Sequence, residues 1–109
     1  MSDSEKARMI IEIVCDYNLI TLDEMMQRKR DRRFAEPRQQ AAYLIRKHTQ
    51  KSLHDVGALL GLDHATIIYG CNHIADLIKY NGMGRHIAEL EEMIYALEPV
   101  VGIEHCGSL

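Results

Sequence analysis

The sequence predicts an all-α fold, a single-domain helical bundle that contains a helix-turn-helix. One observation is the stretch from Ser52 to Tyr80, in which two helical patterns are separated by about three residues that include a glycine. Two helices joined by so short a turn form a helix-turn-helix, whose second helix can lie in a DNA major groove. The other is that apolar residues recur at helical spacing in five or six segments, while no segment has the alternation of a strand.

The first two helices are predicted from an apolar stripe and a capping box. The stripe falls between Glu5 and Tyr17 and is followed by Asn18 as a stop. Thr21 and Glu24 form a capping box, which predicts a short helix to about Gln27. The residues of the first stripe are Met9, Ile10, Ile13, Val14 and Tyr17.

A basic stretch, RKRDRRFAE over residues 28–36, has no apolar periodicity and is predicted to be a surface loop. Pro37 suits the first turn of the next helix, where its missing N–H costs nothing. That helix is expected to run to about Thr49. It would bury Ala41, Leu44, Ile45 and His48 or their neighbours, and project Arg38, Gln39 and Arg46 away from the core.

Capping residues and a glycine mark the helix ends within the helix-turn-helix. Ser52 with Asp55 is close to a capping box, Gly61 stands where a helix stop favours positive φ, and Asp63 can cap the second helix. The predicted buried stripes are Leu53, Val56, Leu59 and Leu60 in the first helix and Ile67, Cys71, Ile74 and Ile78 in the second.

A last amphipathic helix is expected after Asn81-Gly82, from about Gly84 to Leu97, ended by Glu98-Pro99. Its stripe would be Ile87, Leu90, Met93, Ile94 and Leu97. We therefore divide the chain into a helix-turn-helix region, residues 1–80, and an acidic amphipathic helix with its tail, residues 81–109, packing on the same domain.

Composition excludes several classes of protein. With 109 residues, 47% hydrophobic and 27% charged, the chain is typical of one soluble globular domain. No apolar run could span a bilayer and the N-terminus lacks a signal-peptide layout, so we expect a cytoplasmic protein without membrane contact. No GxxxxGK[ST] loop or catalytic motif is present, so we expect no nucleotide cofactor and no catalysis.

The cysteines are predicted to be free thiols. The three cysteines are widely spaced without a CxxC, and Cys15 and Cys71 lie on apolar helix faces. A zinc site made by His64, Cys71 and His73 is disfavoured because Cys71 belongs to the core stripe. We expect no metal and no other cofactor.

The charge is polarised along the chain. Residues 28–51 carry nine basic and two acidic side chains, although the whole chain has a net charge of −3. From His86 onward there are five glutamates and no lysine or arginine. This asymmetry favours a basic face for phosphate and an acidic face turned away from it.

Several motifs in order resemble a known family. RKRDRR, PRQQAAYLIRK, SLHDVGALLG and DHATIIYGCNHI are together similar to the C-terminal DNA-binding domain of the bacterial replication initiator DnaA, a Trp-repressor-like helix-turn-helix. The most specific matches are Pro37-Arg38-Gln39 and the run from Asp63 to Ile67. The resemblance covers about two-thirds of the chain, and it implies sequence-specific binding of double-stranded DNA, at a DnaA-box-like site, in the control of replication initiation or transcription.

The resemblance also implies which residues contact DNA. Arg30 matches the arginine that enters the minor groove, a suitable partner for its negative potential. The start of the recognition helix would read bases in the major groove through Asp63, His64, Ala65 and Thr66. The positions that match backbone or flanking contacts are Arg38, Gln39, Arg46 and Tyr69. Two further DNA-binding candidates come from the residues themselves: Lys51 ends the basic stretch, and His73 lies one turn beyond Tyr69 on the same helix face.

The sequence also departs from the family pattern. The turn is one residue shorter than is typical, Leu62 stands where a basic residue usually precedes Asp-His, and Ala65 replaces a threonine. These departures and the net negative charge motivate a second hypothesis, a protein-interaction or adaptor module that kept the fold and lost specific DNA binding. A homodimer or protein partner would then use the C-terminal helix.

Overall fold

The computed structural model describes residues 2–26 and 32–97 and has six α-helices and no strand within those ranges. In chain order they are α1 (Asp3–Tyr17), α2 (Leu22–Met26), α3 (Arg32–His48), α4 (Leu53–Leu60), α5 (His64–Tyr80) and α6 (Met83–Leu97). The predicted all-α fold class is confirmed. No helix in the described ranges is long and apolar enough to cross a membrane.

The first two helices begin and end close to where the sequence places them. Ser2 caps α1 by accepting from the Glu5 amide, and the helix stops at Asn18 as expected. The predicted capping box at α2 is present, with the Glu24 amide donating to Thr21 Oγ1 at 3.1 Å and the Thr21 amide donating to Glu24 Oε1 at 2.9 Å. These reciprocal bonds satisfy amides that have no partner inside the helix.

The start of α3 corrects two predictions. Residues 32–36 are helical rather than loop, and Pro37 lies inside the helix rather than in its first turn. Phe34 supplies the physical reason, because it is buried and ties this turn to the rest of the molecule. The Phe34 carbonyl oxygen accepts from Arg38 Nε at 3.2 Å. This side-chain bond lies in the same part of α3 as Pro37, which has no backbone N–H to donate.

The core lies between α1, α3, α5 and α6, with α4 closing one end. Helix α5 packs along α3, and α6 packs on α5 and α1. Fully buried side chains contributed by these helices include Ile10, Val14, Leu44, Ile45, Val56, Leu60, Ile67, Ile74, Leu90 and Ile94.

The predicted stripes are confirmed at most positions and fail at a few. Ile67 and Ile74 are fully buried, whereas Cys71 and Ile78 are half-buried at the border of the core. In α6 the stripe ends at Ile94, because Leu97 is 58% exposed, so its predicted burial is wrong. Leu97 is the last residue of α6, and no helix among the described residues covers its side chain fully.

Candidate nucleic-acid interface

The α4–α5 hairpin is a helix-turn-helix built from short-range bonds. Ser52 and Asp55 form the predicted capping box, and Gly61 takes a left-handed conformation with φ of 68°. The amides of Gly61 and Leu62 both donate to the Gly57 carbonyl, the latter at 2.9 Å. These bonds end α4 and turn the chain into α5 within three residues.

Gly57 is a requirement of the turn that sequence reasoning missed. A Cβ at this position would lie 2.5 Å from the Leu62 carbonyl oxygen, closer than real Cβ atoms approach another atom. The sequence contains a signal for this requirement, namely a glycine inside a predicted helix. Because such a glycine costs about 1 kcal/mol relative to alanine, it indicates a packing constraint. Gly57 lets the end of the turn lie directly on α4.

The first turn of α5 presents its side chains to solvent. Asp63 caps the helix, accepting from the Thr66 amide at 2.7 Å, and hydrogen bonding to Thr66 lowers the pKa of this carboxyl. His64, Ala65 and Thr66 are all exposed. The four predicted base-reading residues are thus brought together at one exposed helix end.

Two aromatic rings extend this surface along α5. Tyr69 is 64% exposed and its ring stacks on His73, with centroids 5.8 Å apart and planes 6° from parallel. The predicted exposure of Tyr69 is confirmed. Tyr69 and His73 are four residues apart, so their stacked rings lie on one side of α5.

Gln39 lies between α3 and α5 and positions the recognition helix. A Cβ at Gly70 would lie 3.0 Å from Gln39 Cγ, so the absence of a side chain at Gly70 allows the two helices to approach closely. Gln39 is half-buried in this contact, and its expected projection away from the core is only partly correct.

Arg38 corrects a prediction about the basic surface. It was expected to project away from the core, but the residue is 7% exposed and its Nε donates to the Phe34 carbonyl. Arginine can bury its aliphatic stem while its guanidinium uses several donors, so packing occupies part of this side chain.

Arg46 and Lys51 lie near the start of α4. Arg46 is exposed, and its guanidinium donates to the Lys51 carbonyl at 2.6 Å. Lys51 Nζ donates to Ser4 Oγ at 2.9 Å, which links this corner to the first turn of α1. Each cation keeps further N–H donors beyond these bonds, since a guanidinium has five and an ammonium three.

Arg30, predicted to enter the minor groove, lies outside the described residues, as do residues 27–31 as a whole. Within the described ranges, no cluster of three or more histidine, cysteine or acidic side chains is placed to hold a metal. Cys15 and Cys71 are free thiols, and burial raises the pKa of each, with nearby carboxylates adding to the rise at Cys15 and Arg46 opposing it at Cys71.

The chain matches a family of known helix-turn-helix domains. The family described as "Bacterial dnaA protein helix-turn-helix" matches residues 7–74, which include most of α1, all of α4 and the recognition helix as far as Ile74. This match agrees with the resemblance seen in the sequence motifs.

The curated relatives that match this chain are named as chromosomal replication initiator proteins. The chain is 44% identical over 74 residues to the chromosomal replication initiator protein DnaA of Chloroflexus aggregans, covering 67% of this chain and 16% of that protein. It is 40% identical over 88 residues to the protein of the same name from Caldanaerobacter subterraneus subsp. tengcongensis, covering 80% of this chain and 20% of the relative. The chain therefore spans about a fifth or less of the length of these relatives.

Proposed function

Since this chain belongs to the family of bacterial DnaA helix-turn-helix domains, we propose that it reads a DnaA-box-like site in double-stranded DNA with the first turn of α5. The domain that defines this family binds double-stranded DNA in replication initiation and is a non-catalytic module. The proposal for this chain is specific recognition, in the cytoplasm, in control of replication initiation or transcription.

The observation that carries the proposal is the exposed end of the recognition helix. A major groove about 12 Å wide admits one α-helix, and the residues of its first turn then face base edges. Asp63, His64, Ala65 and Thr66 occupy this turn and are all exposed.

The chemistry of these side chains suits direct readout. Asp63 can accept from a cytosine amino group with the oxygen capacity left by its capping bond, since a carboxylate offers about four lone-pair sites. His64 and Thr66 can exchange hydrogen bonds with base edges, and the methyl of Ala65 can contact a thymine methyl. The Tyr69–His73 stack would flank this reading surface.

Phosphate contacts would fix the orientation of the domain without reading sequence. Arg46 and Lys51 are proposed for this role, and they lie together between the first turn of α1 and the start of α4. Arg30 is proposed for the minor groove on the family resemblance alone.

The experiment is fluorescence-anisotropy binding to a duplex that contains a DnaA-type box and to a scrambled duplex of equal length, across a salt series. We expect preference for the box, and affinity that falls steeply with salt as counterions are released from neutralised phosphates. Arg46→Ala should reduce affinity for both duplexes and make the salt slope shallower by about one charge. Equal binding to both duplexes would contradict box reading.

Variants separate base reading from folding. His64→Ala should lose about 1–3 kcal/mol of discrimination between the duplexes, whereas the matched variant His54→Ala, on the exposed face of α4, should lose none. Asp63→Asn keeps a good N-cap and should leave the melting temperature nearly unchanged while altering base preference. If the His64 and Asp63 variants both kept wild-type specificity, neither residue would belong to the base-reading surface.

A second candidate function is a protein-interaction module using the end of α6. The observation that favours it is the exposure of Tyr95 and Leu97 on this helix. A homodimer or partner seated there would be seen as a concentration-dependent mass in sedimentation, together with the absence of box preference. A monomer that prefers the box duplex would exclude the protein-interaction function.

A further inference from the structure

The turn between α1 and α2 contains a leucine at a position where glycine is usual. The Leu19 amide donates to the Asp16 carbonyl at 3.2 Å. The next amide, that of Ile20, donates to the Cys15 carbonyl at 3.0 Å. This pair of bonds is a Schellman motif, which ends a helix and requires left-handed backbone at its central residue. Leu19 is that residue, with φ of 57°. Because a β-carbon is disfavoured in this conformation, the turn gains nothing locally from leucine.

The Leu19 side chain also gains nothing from burial. It is 92% exposed, and Leu22 at the start of α2 is a second exposed leucine. An open cleft of about 530 Å³ borders Leu19, and both charged side chains among its described lining residues, Glu24 and Glu36, are acidic. We call these two leucines and two glutamates the Leu19 knob. Its charge opposes DNA and suits a partner surface that is apolar with cationic edges.

The same chain carries a surface of that kind. An open groove of about 520 Å³ lies between α3, the start of α4 and the middle of α5, and we call it the α3–α5 groove. Leu53, Ile68 and Ala75 supply its apolar lining, and Ile68 is exposed although its side chain is large. Both charged side chains among the described lining residues, Arg46 and Lys47, are cationic. The groove and the knob are therefore complementary in polarity and in charge.

Arg46 supplies most of the attraction available to a carboxylate at this groove. Its Nη1 donates to the Lys51 carbonyl, an uncharged acceptor, so the guanidinium charge is not neutralised by this bond. Lys47 Nζ instead pairs with the Glu91 carboxylate at 2.8 Å, which offsets part of its charge. The groove thus offers one cation on α3 beside an apolar surface large enough to receive leucine side chains.

A molecule does not fill its own groove with its own knob. Glu36 of the knob and Arg46 of the groove are ten residues apart on α3, which separates them by about 15 Å along the helix axis. Helix α3 is part of the packed core, and Leu19 is exposed when both surfaces are in place. A second copy of the chain can present its knob to the groove without any change in either fold.

We propose that the Leu19 knob of one molecule docks in the α3–α5 groove of a second copy, with the leucines on the apolar lining and the glutamates beside the two cations. Because knob and groove are different surfaces, each docked pair keeps one free knob and one free groove, and the association is head to tail and open-ended. Arg46 is also a proposed phosphate contact, so a docked copy competes with DNA for it. This competition rests on the proposed function, but the self-association does not.

Sedimentation equilibrium of the full chain without DNA tests the contact. The mass of the wild type should rise past that of a dimer between micromolar and millimolar concentration. Leu19→Gly removes the apolar side chain and suits the left-handed backbone, so it should keep or raise the melting temperature while weakening association by about tenfold or more. A purely structural role for Leu19 would not separate these two effects.

The groove side of the contact has its own variant. Ala75→Glu changes an exposed residue of α5 and brings a negative charge against the acidic knob, so it should weaken association as strongly as Leu19→Gly does. The matched controls are Ala88→Glu and Leu97→Ser, which alter exposed residues of α6 and should associate as the wild type does. Loss of association in Leu97→Ser but not in Leu19→Gly would assign the contact to α6 and overturn the proposal.

Mixing the two variants identifies a head-to-tail contact. Leu19→Gly keeps an intact groove and Ala75→Glu keeps an intact knob, so an equimolar mixture should form dimers although each variant alone is monomeric. Association should stop at the dimer, because the two surfaces left free in each pair are the two altered ones. A mixture that stays monomeric, or a wild type that is monomeric throughout the concentration range, would overturn the proposal.

The competition with DNA has a separate readout. Adding the box duplex to the associated wild type should lower the mass to that of one chain bound to one duplex. Duplex bound by an assembly that keeps its size would overturn the competition. If neither the wild type nor any variant binds DNA, the proposed function fails, while the mixing experiment still decides the self-association.

Discussion

The α4–α5 hairpin is held by contacts between residues close in sequence, whereas helix α6 is held by contacts between residues far apart in sequence. In the hairpin, Ser52 bonds to Asp55, Asp63 to Thr66 and Leu62 to Gly57, partners three to five residues apart. Helix α6 is held by Tyr17 to Glu89 and His48 to Glu91, partners 72 and 43 residues apart. The hairpin is specified by neighbours in sequence, and the position of α6 by neighbours in space.

The largest effect is expected where the hairpin's two helices touch. Gly57→Ala would drive a Cβ into the Leu62 carbonyl, and overpacking against backbone should destabilise the fold by about 2 kcal/mol despite the better helix propensity of alanine. Urea unfolding followed by circular dichroism measures this loss. The matched change Gly84→Ala meets Ile78 only at an ordinary 3.7 Å and should be neutral or stabilise by less than about 1 kcal/mol. Equal behaviour of the two variants would show that the turn can move away from α4.

The next effect concerns the attachment of α6 to α3. Glu91→Ala removes the partner of both Lys47 and His48 and should destabilise the protein by about 1–2 kcal/mol, whereas Glu92→Ala on the exposed face should not. A small effect at Glu91 would mean that apolar packing alone holds α6.

The same contact makes a pH prediction. Burial alone would raise the pKa of Glu91, but hydrogen bonds from Lys47 and His48 lower it below its ordinary 4.5. Its contribution to stability is therefore fully present above that value and is lost as pH falls through the lower folded-state pKa. The stability difference between wild type and Glu91→Gln should shrink on acidification, and a difference that stays constant would contradict the assignment.

A smaller effect is expected at the start of α4. Ser52→Ala leaves the Asp55 amide without its side-chain acceptor and should cost about 1 kcal/mol, whereas Ser52→Asn, another good N-cap, should remain close to wild type. Thermal melts of the two variants distinguish loss of the cap from loss of the serine itself.

The smallest effect on stability is expected at the attachment of α6 to α1. Tyr17 donates to Glu89 Oε2 at 2.5 Å, and this bond, with burial and the nearby charge of Glu89, raises the pKa of Tyr17 to about 12. The contribution of this pair is present below the ordinary pKa of 10.0 and is lost as pH rises through about 12. Tyrosinate absorbance should show a step near that value that Tyr17→Phe abolishes and Glu89→Gln moves to lower pH.

The sequence separation between contacting residues also explains what could be predicted from the sequence. The capping boxes at Thr21 and Ser52, the glycine at Gly61 and the Asp63 cap are satisfied within a few residues, and all four are present in the structure. The exposure of the proposed reading turn follows from the same signals, because the stripe that buries Ile67 leaves the opposite face in solvent.

The wrong predictions concern residues whose placement depends on contacts with residues distant in sequence. Pro37 has the local preference of a helix start, but burial of Phe34 extends the helix ahead of it. Arg38 belongs to a basic sequence, but α3 places it against the interior. Leu97 continues an apolar stripe, but no element covers the last turn of α6 within the described residues.

The sequence by itself determined the helices, the short turn between α4 and α5 and the membership of a DNA-binding family, because caps, glycines and apolar spacing act over single turns of chain. Only the tertiary structure decided which basic side chains reach solvent, how closely α3 approaches α5 at Gly70 and where α6 docks. Those outcomes depend on the summed packing of residues far apart in sequence, which no local pattern encodes.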